Sequence, residues 1–170
     1  MSQETVVTIL VALAAAASVT GLATGRAARL VTGASLALLA VALLVGWSSE
    51  TTPHLDKTVT VLAAVLAVAG GGLVTTQVFS FVEDPERVSS AGAILRGGAW
   101  IGALERLGVY VALVVGWAPG LAIVLAVKGL GRYPELRNQD DSGVAERFII
   151  GTFTSVLWAV ACAGVAVLTP

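Results

Sequence analysis

An all-α, polytopic transmembrane helical bundle of about six spans is the fold class this sequence predicts, and three observations predict it. The chain is 56% hydrophobic and only 12% charged, about half the charged fraction of an ordinary soluble domain, and its mean hydropathy is +0.90. Charge-free runs cover residues 5–25, 30–49, 58–82, 107–127 and 148–170. Each reaches the roughly 20 residues that cross about 30 Å of hydrocarbon as helix. When those runs are cut into six spans, nine of the ten Lys and Arg residues fall on one side: Arg26, Arg29, Arg87, Arg96, Arg106, Lys128, Arg132, Arg137 and Arg147, with Lys57 alone opposite. Basic residues are held on the cytoplasmic side during insertion, so this asymmetry sets orientation. The expectation is one transmembrane domain over residues 1–170, multi-pass in the cell membrane, with both termini outside.

The first span, over residues 5–24, has Glu4 before it and Arg26 and Arg29 after it. That charge order suits an uncleaved anchor; a cleavable signal peptide wants basic residues first. The second span covers 30–47, followed by an outer connection over 48–57 with Pro53 and His54. A lone exposed histidine there reads as solvated rather than metal-bound. The third span covers 58–82 and carries Gly70-Gly71-Gly72 and Thr75-Thr76-Gln77. Glycine permits close helix approach and eases distortion, so the triplet reads as tight packing, with a hinge lining a transport path as the alternative. Gln77 is expected to face another helix. An inner loop over 83–90 then gathers Glu83, Asp84, Glu86 and Arg87, acids suited to a helix amino end.

The run 107–127 holds Trp117-Ala118-Pro119-Gly120 at its middle. Proline lacks a helical donor and clashes with the preceding turn, so the site is a kink or a turn. A kink gives five crossings and splits the basic residues five against five; a turn gives six and the nine-to-one split. The turn is the better reading, making helices four and five, over 92–117 and 119–133, a Pro-turn hairpin. Trp117 then sits at the interface and Pro119 in a first helical turn. Helix five, at 15 residues over that range, would rise only about 22 Å, short of a full span. The last span, over 145–168, follows Asp140-Asp141, with Ser142 as the expected cap.

Residues 26–47 and 96–117 also align at an offset of 70, ending in Leu43-Leu44-Val45-Gly46-Trp47 and Leu113-Val114-Val115-Gly116-Trp117. Flanking helices match poorly at that offset and apolar alphabets match readily by chance, so coincidence or shared interface chemistry explains the likeness better than duplication.

The chemistry concentrates in the second half. Glu105, Arg106, Lys128 and Arg132 lie inside predicted spans, where an ionisable group needs a partner, water or an escape route. Counted from the turn, Glu105 lies about 18 Å down one arm and Lys128 about 13 Å down the other, and lysine reaches further by snorkelling. Glu105–Lys128 is therefore the first expected pair. Lys128 and Arg132 share a helical face four residues apart, where like charges repel unless acids intervene. Glu135, Glu146 and Arg147 complete a candidate cytoplasm-facing network with four bases and three acids. Its surplus positive charge suits a lipid phosphate or another anion; the simpler reading is a set of salt bridges that orients three helices. Tyr110 and Tyr133 read as interface anchors.

Glu105-Arg106-Leu107, Ala126-Val127-Lys128, Arg132, and Ala145-Glu146-Arg147-Phe148-Ile149-Ile150-Gly151-Thr152 with Ser155 together resemble the carboxy-terminal region of uncharacterised prokaryotic multispan membrane proteins. The resemblance covers about residues 99–160 and leaves the first half unmatched. It implies an integral membrane fold and treatment of these charges as a unit; it brings no activity with it.

A net charge of −1 argues against a nucleic-acid partner, since no domain-wide basic surface exists. Cys162 is the sole cysteine, so no intrachain disulfide or thiolate metal centre forms. No two-His metal motif and no Gly-x-Ser-x-Gly elbow occurs, and no cofactor is implied. An acid–base role for Glu105 or Glu146 is the enzymatic reading the residues leave open. The leading expectation is a non-enzymatic membrane protein whose charge network supports the fold or binds anionic lipid or a partner, either a second copy or another membrane protein. A small transporter or channel, as a single copy or an oligomer, is the alternative.

Overall fold

The computed structural model of the chain describes residues 2–24, 28–48, 56–82, 98–137 and 142–169; the side chains at 23, 24, 28, 82, 134–136 and 142–144 lie outside that description. Six helices and no strand occur among the described residues: α1 (Gln3–Thr24), α2 (Ala28–Trp47), α3 (Lys57–Val82), α4 (Gly98–Val114), α5 (Ala118–Arg137) and α6 (Ser142–Leu168). Four stretches are long and apolar enough to cross a membrane: Gln3–Leu22, Arg29–Trp47, Lys57–Phe81 and Ala145–Leu168. The expected loop residues Pro53 and His54, the acidic segment 83–87, and Asp140 and Asp141 lie outside the described residues, as does the side chain of Ser142.

Two helix starts are capped in ways the sequence permits. The Thr5 amide donates to Ser2 Oγ at 3.2 Å, and the Val59 amide donates to Asp56 Oδ1 at 2.8 Å. Each side-chain oxygen satisfies an amide that has no partner within its own helix.

Central to the bundle are α3 and α6, which pack on each other; α1, α2 and α4 also contact both or one of them. The buried residues are mostly small: Ala14, Ala15, Ala42, Ala63, Ala67, Ala159, Ala163 and Ala166, with Ser18 and Ser35. Large apolar side chains point outward instead, among them Leu30, Leu44, Phe81, Trp100 and Leu157. Small residues let helix backbones approach closely, while bulky ones on the outer surface suit a lipid solvent. Between α1 and α2, the Ser18 and Ser35 hydroxyls share a buried hydrogen bond of 3.0 Å. Gln77, expected to face another helix, instead donates through Nε2 to Ser80 Oγ at 2.7 Å within α3.

Helix α4 ends differently from the expectation. Gly116 adopts φ +73°, and the amides of Gly116 and Trp117 donate to Leu113 O and Ala112 O at 3.0 and 2.7 Å. This is a Schellman end, in which a left-handed glycine lets two amides fold back on the last carbonyls. Helix α5 begins at once at Ala118, with Pro119 inside its first turn. The break is therefore set by Gly116 and occupies Val115–Trp117, ending two residues before the proline. The aligned Gly46 is helical and packs on the Leu168 carbonyl, so the two matching strings end in different backbones. At 20 residues α5 is longer than expected and rises about 30 Å.

Candidate functional site

Glu105 and Arg106 are consecutive on α4, and consecutive helical residues diverge by about 100° around the axis. They consequently serve two different neighbours. Glu105 turns toward α5, where Lys128 Nζ donates to its Oε2. The two side chains are only 18% and 15% exposed, so the pair is largely removed from water. The helices also meet at Gly108, where an added Cβ would sit 3.0 Å from Val124 Cγ2. Helices α4 and α5 thus touch at Gly108–Val124 as well as at Glu105–Lys128.

Arg106 turns toward α3. Its Nε and Nη2 donate to the carbonyl of Val68 at 3.1 and 2.8 Å. Val68 lies near the midpoint of α3, and its oxygen has a second lone pair free for a donor from outside the helix. The guanidinium reaches that oxygen by lying across Gly71, where an added Cβ would be 2.3 Å from Arg106 Cδ. Two further side chains use the same device. Tyr110 Oη donates to Thr60 O at 2.7 Å, and Trp158 Nε1 donates to Leu66 O at 3.1 Å while its ring covers Gly70. Three polar groups from α4 and α6 are thereby satisfied on the backbone of one apolar helix, where an unpaired donor would be costly.

Tyr110 is accordingly no interface anchor: it is 2% exposed, among the largest buried side chains. Sequence reading missed this and the roles of Trp158 and Asp56. The available signals were the four-residue spacing of Arg106 and Tyr110 on one face, and an aspartate immediately before an apolar run. The glycine triplet packs closely, as its composition suggested; the alternative path along α3 is covered by Trp158 and Arg106 at Gly70 and Gly71.

Of the seven charged residues singled out from sequence, Glu105 and Lys128 are joined directly and Arg106 lies beside them. Arg132 and Arg147 are half-buried, and each makes an interaction of its own. Glu146 is exposed, and the side chain of Glu135 lies outside the described residues. Among α4, α5 and α6 runs a crevice of about 10 Å³ whose polar lining is Glu105, Arg106, Lys128 and Ser155. No group of three or more His, Cys, Asp or Glu gathers among the described residues.

Compared with protein-family models, curated proteins and solved structures, the chain matches none of them.

Proposed function

We propose that this protein is a six-span integral membrane protein without enzymatic activity, with both termini outside, whose positively charged cytoplasmic end binds anionic lipid. The observation that carries the reading is the Glu105–Lys128 ion pair. It ties α5 back along α4, which supports counting them as two crossings and leaves Arg132 and Arg137 at the same end as Arg147. Covered glycines on α3 favour a packing and binding role over a permeation route along that helix.

Cysteine labelling in a Cys162→Ala background tests the topology. Single cysteines within 48–57 and 117–120 are expected to react from outside, and those within 132–142 only after the cytoplasmic face is opened. Labelling of a cysteine at Asn138 from outside restores five crossings and ends the six-span reading.

Lipid binding rests on Arg132 and Arg147 near the cytoplasmic ends of α5 and α6, within a set of four bases and three acids that includes Glu135 and Glu146. Arginine's planar fork fits phosphate oxygens bidentately, which a lysine point charge does not reproduce. Native mass spectrometry of the purified protein is expected to retain anionic over zwitterionic phospholipid. The double variant Arg132→Ala/Arg147→Ala is expected to lose the preference. Equal retention of both lipid types by the unmodified protein removes the lipid site and leaves the charges a structural role.

A further inference from the structure

One edge of the Arg106 guanidinium is engaged and another is open. The Nε–Nη2 edge donates to the Val68 carbonyl. The planar group has a second edge, formed by Nη1 and Nη2, and Nη1 donates to no oxygen among the described residues. The buried side-chain polar atoms that lack a partner there are Thr32 Oγ1 and Thr152 Oγ1. Nη1 is not one of them, so it reaches the surface of the bundle. Two glycines keep that edge uncovered. An added Cβ at Gly102 on α4 would lie 3.1 Å from Nη1, and one at Gly72 on α3 would lie 3.6 Å from Nη2. Nothing else from the rest of the molecule comes within 4 Å of either position. One and two turns further along α3, on the face of Gly72, Thr76 and Ser80 are small and exposed, as is Ala99 on α4. A shallow groove between α3 and α4 therefore has Arg106 at its head.

Charge and depth decide what fits there. Glu105 and Lys128 compensate each other, so Arg106 adds one net positive charge, and no described carboxylate forms an ion pair with it. Its level is fixed by Val68, inside the apolar stretch Lys57–Phe81 and about 17 and 20 Å from its two ends. Phospholipid phosphates stand at the borders of a hydrocarbon core about 30 Å thick, so a headgroup lies about 15 Å away from this edge. A second copy of the chain offers no countercharge either. Among the described residues Glu105 is the one acid far from a helix end, and it is committed to Lys128.

We propose that the groove between α3 and α4 docks a membrane-spanning helix of a different protein, one that carries a glutamate or aspartate near its middle. That carboxylate accepts from Nη1 and Nη2 together, the bidentate geometry that arginine's fork permits. An acid and a base at this depth each need a partner, and the pair supplies both. Gly72, Gly102 and Ala99 let the partner's backbone come close, which is how helices associate where lipid is as apolar as leucine. The inference rests on the integral-membrane reading and is separate from the lipid site at Arg132 and Arg147.

Energy transfer from the protein's tryptophans to a dansyl-labelled peptide, both in phosphatidylcholine vesicles, tests the docking. The peptide is a leucine–alanine helix of about 20 residues, with lysines at both ends and no tryptophan. Flotation of the full chain with the vesicles is checked first, and its failure ends the membrane reading and this proposal together. A peptide with glutamate at its centre is expected to bind about tenfold more tightly than one with glutamine, the margin of a charge-assisted over a neutral hydrogen bond. Gly72→Leu keeps the arginine but fills the groove, and it is expected to abolish the preference, as is Arg106→Met. The double variant Arg132→Ala/Arg147→Ala is expected to retain it. Addition of anionic phosphatidylglycerol is also expected to leave it in place; its loss there assigns the open edge to a headgroup and overturns the proposal. Equal binding of the two peptides by the unmodified protein overturns it as well, as does a preference undiminished in both Gly72→Leu and Arg106→Met.

Discussion

Glu105→Gln is expected to destabilise the protein in detergent by about 3–5 kcal/mol, the usual cost of removing one partner from a buried ion pair. The substitution keeps size and an acceptor oxygen, so packing is preserved while the charge is lost. Lys128 then remains 15% exposed with no carboxylate opposite it, beside Arg106, which is also cationic. The glutamine oxygen still accepts one hydrogen bond, which places the loss toward the lower end of that range. Replacing both partners removes the stranded charge: Glu105→Gln/Lys128→Met is expected to recover part of the stability, because a neutral pair of similar volume no longer holds an unbalanced ion. Among the described residues α5 packs substantially on α4 alone, so the single variant is also expected to loosen α5 preferentially. Cysteines introduced at Gly129 and Gly131, where an added Cβ meets nothing within 4 Å, report that loosening as faster labelling. Unchanged melting across all three variants shows instead that Glu105 and Lys128 reach water independently.

That pair was legible in the sequence because it depends only on depth. Counting residues from a break at known height places Glu105 and Lys128 at one level, and the helical rise does the rest. The helices were legible for the same reason, since length and absence of charge suffice. Rotation about each helix axis was not. A helix that faces lipid on one side and protein on the other is apolar all round, so no hydrophobic stripe distinguishes its inner face. Sequence alone assigns Arg106 to a cytoplasmic network and Tyr110 to an interface, because nothing in the alphabet shows that both turn toward α3. Their acceptors compound the problem: backbone carbonyls of Val68 and Thr60 carry no side-chain signature. The break before α5 was found through Pro119, yet the residue that makes it is Gly116. Nineteen glycines in the chain gave that one no prominence.

An alanine scan of Gly70, Gly71 and Gly72 is expected to give three different results from three adjacent residues of one type. At Gly71 an added Cβ would lie 2.3 Å from Arg106 Cδ, 2.8 Å from its Nε and 3.0 Å from Trp158 Cδ1. The arginine cannot retreat without leaving the Val68 carbonyl. Gly71→Ala is therefore expected to cost about 2–4 kcal/mol, combining overpacking with the loss of a charge-assisted hydrogen bond. At Gly70 the added Cβ would lie 2.6 Å from Trp158 Cζ2 and 3.2 Å from Ser18 Oγ. The indole is 4% exposed and tethered by Nε1 to Leu66 O, so it yields little, and a loss of about 1–3 kcal/mol follows from overpacking alone. At Gly72 the nearest atom is Arg106 Nη2 at 3.6 Å, an ordinary contact. Alanine also favours the helix over glycine by up to about 1 kcal/mol, so Gly72→Ala is expected to be neutral or stabilising. Melting of the three variants in detergent decides between two accounts of the triplet. The order Gly71, Gly70, Gly72, from most to least damaging, marks it as a seat for Arg106 and Trp158. Equal losses at all three positions would mean that α3 needs local pliancy there, and the hinge reading would replace the packing one. A further cycle isolates the arginine: once Arg106→Met has removed the guanidinium, Gly71→Ala is expected to cost less than it does in the unmodified chain, because the flexible thioether can move aside without giving up a hydrogen bond.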